Sequence, residues 1–243
     1  MSKIIKGVQP GPRRTVIYGG PGVGKSTWAA SAPTPIFVPT EDGVRDIAVD
    51  KYPVANTLDE FEENLKDLAQ NNLGDYKTLV IDGLDWLESL VHRKLCEEDG
   101  VDSIEKYGKG YGRGYAAAAE RFAGLLRKLS WFTGKGLHVV CICHDKVVKV
   151  VDTENPEYDR LTIRLHDKAG AKVIEWADEV FAFRSKIVVE EGERGARAKG
   201  GKIREIRCNN TPAVLAKNRL SMPDAIPQVM PKGWDEYAKF ITV

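Results

Sequence analysis

Disulfide-stapled folds are excluded first, because the 243-residue chain has only four cysteines, Cys96, Cys141, Cys143 and Cys208, and none are spaced as C-x-x-C. Neither a disulfide framework nor a structural metal is indicated, and the four read as reduced thiols in a cytosolic setting. An excess of either charge is also missing: 36 Lys and Arg stand against 35 Asp and Glu, a formal +1. No global field marks a constitutive polyanion binder, so any nucleic-acid contact has to be local. Long apolar runs are absent too. The longest strongly apolar run, Val139 to Cys143, is far short of a membrane span, and residues 1–14 lack the apolar core of a signal peptide. No membrane partner is expected, and no internal repeat is visible. What is present is 42% hydrophobic and 29% charged residues, the composition of an ordinary globular chain that buries roughly 70–75% of its unfolded surface. One large domain is expected over 1–243.

Short apolar runs alternate with helical patterns, which predicts an α/β domain with a mostly parallel central sheet. Thr15 to Tyr18, Pro35 to Val38, Thr78 to Ile81 and Leu137 to Cys143 read as buried strands. Thr57 and Glu60 form a T-x-x-E capping box ahead of a helix with Leu58, Phe61, Leu65 and Leu68 on one face. Two further helices carry Leu87, Leu90, Val91 and Leu95, and Phe122, Leu125, Leu126, Leu129 and Phe132. After Cys143 the pattern changes. Val147 to Asp152 and Arg160 to Leu165 flank a turn-forming stretch, so 145–167 is read as a β-hairpin insertion. A helix from about Lys168 to Trp176 then precedes Glu179 to Phe183, Lys186 to Glu190 and Ile203 to Cys208, expected as antiparallel strands extending the sheet. Residues 1–14 are read as an N-terminal tail and the Gly-rich, charged 191–202 as a mobile link. The segment 221–243 is read as a C-terminal tail whose final helix docks Trp234, Tyr237 and Ile241.

The most informative stretch is Thr15 to Thr27, which contains Gly19, Gly20, Pro21, Gly22, Val23, Gly24, Lys25, Ser26 and Thr27 and satisfies G-x-x-x-x-G-K-[ST] between a strand and a helix-compatible run. Its glycines let successive N–H groups converge on phosphate oxygens, and the positive end of the following helix adds to them. Lys25 spans the β- and γ-phosphates of ATP, and Ser26 offers a hydroxyl to Mg²⁺. Asp82 ends the apolar strand Thr78 to Ile81 and is the Walker B carboxylate, the second metal-holding group. The next residue is Gly83 rather than Glu, so the carboxylate that orients water has to come from elsewhere. Glu41 in Pro39 to Gly43, at the end of a neighbouring strand, is the best source, with Asp42 as the alternative. His144 follows the next strand and is placed to sense the γ-phosphate, or else simply satisfies a local hydrogen bond.

The P-loop, strand-end Glu41, Asp82 and the polar end of the next strand, in that order, resemble the RecA-type core of ATPases acting on single-stranded DNA, and among them the small phage-type single-strand annealing and recombination proteins. The likeness covers residues 15–220. It implies a RecA-like P-loop fold, Mg²⁺-dependent ATP hydrolysis stimulated by DNA, and residence in the cytoplasm, the host's if phage-encoded. Lys217 and Arg219 in Ala216 to Leu220 resemble the K-x-R element that such proteins present to a neighbour's ATP, which implies a homo-oligomer, ring or filament. The P-loop begins within the first twenty residues, which leaves little chain ahead of it for a RecA-style filament grip. A single-strand-binding protein is a further partner of such a role.

Tyr107 to Tyr115 looks like the Gly/Tyr-rich segment of those proteins. Lys106, Tyr107, Lys109, Tyr111, Arg113 and Tyr115 interleave cations with aromatics, an arrangement suited to gripping phosphates while stacking unpaired bases. The other reading is a loop whose tyrosines cover the domain's own surface. Arg160 and Arg164 share a face of the expected hairpin and are second candidates for DNA; Arg194, Arg197, Lys199 and Lys202 are a third. Two other functions stay open: a nucleotide-dependent switch with little turnover, and a small-molecule P-loop kinase.

Overall fold

A computed structural model describes residues 4, 6–7, 9–71, 73–192 and 195–241, with the backbone alone at 187–192, 195–199 and 202. In chain order the elements are β1 (Arg14–Tyr18), α1 (Lys25–Ala30), β2 (Pro35–Pro39), β3 (Asp50–Lys51), α2 (Leu58–Asn71), β4 (Thr78–Asp82), α3 (Leu84–Asp99), a 3-10 turn (Tyr107–Lys109), α4 (Arg113–Gly134), β5 (His138–Cys143), β6 (Asp145–Val150), β7 (Tyr158–Ile163), α5 (Asp167–Trp176), β8 (Glu179–Gly192), β9 (Gly195–Arg207), β10 (Ala225–Pro227) and α6 (Gly233–Ile241).

The main sheet has the order β10-β9-β8-β1-β5-β4-β2-β3. From β8 through β3 neighbouring strands are parallel, so β1, β2, β4 and β5 all end at one edge, where α/β proteins gather their ligands. Strands this apolar on both faces have to be covered on both. Phe61, Leu65, Leu90, Phe122 and Val173 from α2–α5 pack on one face; Trp28 and Tyr237 from α1 and α6, with Ile206 and Ile226, pack on the other. The capping box appears in modified form. Thr57 Oγ1 accepts from Glu60 N at 3.1 Å, while Glu60 Oε2 accepts from Asn56 N rather than from Thr57.

The hairpin forms as read, β6 and β7 making a two-stranded sheet of their own. The rest of the second half departs from expectation in two ways. First, Glu179–Gly192 is one strand, and its first half runs parallel to β1, Thr15 facing Glu179 and Tyr18 facing Ala182. The α5 crossover returns the chain to the edge from which β1 starts, and that imposes the parallel sense. Among the described strands of the main sheet, the antiparallel pairs are those of β9 with β8 and β10 with β9. Secondly, the backbone of 195–200, and of 191 and 192, continues the β8–β9 ladder as far as Gly192 opposite Gly195, where the sequence suggested a link. The candidate side chains Arg194, Arg197, Lys199 and Lys202 lie outside the described residues.

The inner end of the expected N-terminal tail and the helix of the C-terminal one are tied into the core. Arg13 pairs with the fully buried Glu179, and Arg14 with Asp178 at 2.9 Å. Tyr237 donates to Glu179 Oε2 at 3.0 Å, and Trp234 lies 4.9 Å from Trp28, centroid to centroid. Thus the predicted docking of Trp234 and Tyr237 holds, and α6 backs the helix that follows the phosphate loop.

Candidate nucleotide site

At the sheet edge after β1, Gly19 takes a positive φ and lies so close to the Phe183 carbonyl that no side chain fits there. Gly24 has φ +91°, a conformation that favours glycine. The loop therefore turns tightly between Tyr18 and Lys25. Lys25 is buried and its Nζ donates to the loop's own carbonyls, Gly19 O at 2.7 Å and Gly20 O at 2.9 Å. Burial pushes this ammonium down, and Asp82, Asp145 and Glu41 oppose that. A phosphate chain would exchange the two carbonyl bonds for charge-assisted ones.

Ser26 Oγ donates to Asp82 Oδ2 at 2.8 Å. Asp82 is almost fully buried, and burial pushes its carboxyl up to about 6 despite the Ser26 bond; Glu41 adds to the rise and Lys25 opposes it. A buried carboxylate beside a hydroxyl, with a second acid close by, is a hard-oxygen donor set that suits Mg²⁺. When bound, the metal supplies charge to neutralise the phosphate oxygens.

Thr40 joins β2 to β4: its Oγ1 donates to Gly83 O at 2.6 Å and accepts from Gly83 N at 2.9 Å. That brace brings Glu41 over Gly83. A Cβ at Gly83 would lie 2.9 Å from Glu41 Oε1 and 3.5 Å from Asp85 Oδ1. The glycine that displaced the expected catalytic Glu from position 83 thus leaves the space that Glu41 fills. Burial and Asp85 raise the Glu41 carboxyl, whereas His144, the Trp86 indole bond and Lys25 lower it. Asp42, the alternative, pairs with Arg45 at the surface.

Behind Glu41, Asp85 collects three groups. It accepts from His144 N at 3.2 Å, faces His144 Nδ1 at 3.1 Å, and accepts from Arg164 Nε at 3.0 Å. Arg164 and His144 hold this carboxyl below its ordinary value against burial. Arg164 was expected to face DNA, but its guanidinium is engaged with Asp85. Arg160 likewise turns inward, donating to Asn210 Oδ1 at 2.7 Å and Thr211 O. Asp85 was missed in the sequence, since its role depends on β7 folding back against α3; its position three residues after Asp82 was the available signal. Asp145 was also under-read: its Oδ1 approaches the loop at Gly20.

Lys217 and Arg219 lie at the other end of the sheet. Lys217 Nζ donates to Ile174 O at 2.8 Å and Ala177 O at 2.6 Å, which caps the last turn of α5. Arg219 pairs with Asp178 at 3.1 Å and stays half exposed. Within one chain they are not part of the phosphate site.

The Gly/Tyr segment divides. Tyr115 stacks on His166 at 4.0 Å and 5°, Tyr107 packs against the core, Arg113 donates to Gly108 O, and Lys106 pairs with Asp102. Tyr111 is 97% exposed, and Lys109 is exposed beside it. Positive φ values at Lys109 and Tyr111, as well as at Gly108, Gly110 and Gly112, push the pair outward. Among the described residues no helix is long and apolar enough to cross a membrane.

The geometry agrees with two comparisons. The chain is similar, 25% identical over 197 residues, to the SPbeta prophage-derived uncharacterized protein YorG of Bacillus subtilis (strain 168), covering 79% of this chain but 56% of that relative. The family described as AAA domain matches residues 11–220, a span that takes in the phosphate loop, Glu41, Asp82 and His144, so the chain belongs to the AAA domain family of P-loop ATPases.

Proposed function

We propose that this chain is a RecA-like, Mg²⁺-dependent ATPase that binds single-stranded DNA and acts in phage-type recombination or strand annealing. The observation that carries the DNA part is the solvent-projected Tyr111 with Lys109 beside it, held out on left-handed backbone in a protein that also has the nucleotide site. An exposed aromatic next to a cation stacks on an unpaired base while holding its phosphate, without regard to sequence. The prophage origin of the similar protein supports the setting. Hydrolysis is supported by Glu41, which sits over Gly83 where a water attacking the terminal phosphate would be oriented.

Self-association belongs to the same proposal. Arg219, half exposed and remote from its own phosphate loop, is the member of the K-x-R pair able to reach a neighbour's nucleotide, while Lys217 fixes α5. The test is the ATPase rate with and without oligonucleotide over a salt series. Binding that falls steeply with salt and a rate raised by oligonucleotide are expected. A rate indifferent to both would leave a nucleotide switch or a small-molecule kinase.

A further inference from the structure

Arg160, Arg164 and Lys217 are engaged away from the phosphates, yet one guanidinium beside the phosphate loop has no partner among the described residues. Arg204 on β9 reaches Gly24: a Cβ at that glycine would lie 3.0 Å from Arg204 Nη1. Among the described residues no acid or acceptor pairs with the Arg204 side chain, although Arg207, three positions along the same strand, has Glu205 at 2.8 Å. A half-buried cation left next to converging backbone N–H groups is unfavourable unless an anion joins them.

A second group points the same way. Gln228 follows β10, is 8% exposed, and its Nε2 donates to Gly24 O at 3.2 Å. That bond fixes the amide, and Oε1 is left buried without a donor among the described residues. The site therefore lacks one anion for Arg204 and one N–H or O–H for Gln228. A nucleotide carries both.

Strand order says which part of the nucleotide this is. The acids Glu41 and Asp82 lie at the ends of β2 and β4, on one flank of β1, whereas β8 and β9 lie on the other. A terminal phosphate held among Ser26, Asp82 and Glu41 leaves the α-phosphate, ribose and base to extend toward the β9 flank. We infer that Arg204 is a nucleotide-binding residue supplied by the same chain, contacting the phosphates nearest the nucleoside, with Gln228 accepting a hydrogen bond from the nucleoside. This rests on the ATPase reading above and adds the residues that hold the end of the substrate that does not react.

Contacts to the non-reacting end act on ground state and transition state alike. Titrations with ADP and ATP, and steady-state kinetics, on wild type, Arg204→Gln and Arg204→Lys form the test. Arg204→Gln is expected to weaken ADP and ATP by a similar factor, about tenfold or more, raising KM while kcat stays within about twofold. Arg204→Lys keeps the charge and loses less. An ADP affinity unchanged in Arg204→Gln overturns the inference and leaves the ATPase reading standing, as does a fall in kcat alone, which would place Arg204 at the γ-phosphate. A wild-type protein that binds neither nucleotide overturns the ATPase reading itself.

Discussion

Ser26 Oγ and Asp82 Oδ2 are 2.8 Å apart, so the hydroxyl of one nucleotide motif and the carboxylate of the other are already joined across the sheet edge. The Asp82 carboxyl is pushed up to about 6, mainly by burial. The folded chain keeps this proton as pH rises past about 4, where the unfolded chain releases it. Stability present below that point is lost as pH climbs to about 6, by on the order of 3 kcal/mol. Removing the charge should recover it. Asp82→Asn is expected to melt roughly 5 °C above wild type at pH 8 without nucleotide, with no gain at pH 4, and to lose Mg²⁺-dependent turnover. Melting curves at the two pH values decide it.

Glu41→Gln keeps the shape over Gly83 and an oxygen to accept from Trp86, but removes the group that orients water. ATP affinity is expected to stay within about threefold while turnover falls at least about 10²-fold. A variant that hydrolyses at the wild-type rate would move that role to another acid, Asp145 first.

Lys217 and Arg219 separate by readout. Lys217→Ala strips carbonyl partners from the end of α5 and should cost about 1–3 kcal/mol in a denaturant melt at any protein concentration. Arg219→Ala should melt near wild type and lose turnover only where the protein is assembled, which rate measurements across a dilution series would detect.

On the DNA side, Tyr111→Ala is expected to weaken oligonucleotide binding by about 1–3 kcal/mol, and Lys109→Ala to flatten the salt dependence by about 0.7 in slope. Tyr115→Phe should leave both untouched, because that ring already has His166 as its stacking partner. Equal losses at Tyr111 and Tyr115 would contradict the division of the loop.

Much of the nucleotide site is legible in the amino-acid sequence, for local reasons. The phosphate loop is a contiguous motif, and the strands ending in Tyr18, Pro39, Asp82 and Cys143 are short apolar runs whose parallel pairing puts their ends together. Even the choice of Glu41 follows from Gly83. What cannot be read there depends on contacts distant in sequence. Arg164 looks like a surface cation because only the docking of the hairpin on α3 brings it to Asp85, 79 residues away. Lys217 looks like a catalytic cation because nothing nearby announces that α5 ends beneath it. Arg204 falls in Ile203 to Cys208, already read as a strand, but nothing local says what that strand lies beside, and only the pairing of β9 with β8 carries it to the phosphate loop.

Gly233 lies directly on the Trp28 ring, and Trp234 N donates to Ser31 Oγ at 2.9 Å, so the last helix is a wedge driven behind the first. Its loss would uncover an indole two residues from Ser26 and unseat the Ser26 hydroxyl from the rear. A fusion partner or affinity tag is therefore better carried ahead of residue 9 than after 241, and a shortened form ending at Met230, which keeps Gln228, should be a poor enzyme for mechanical reasons.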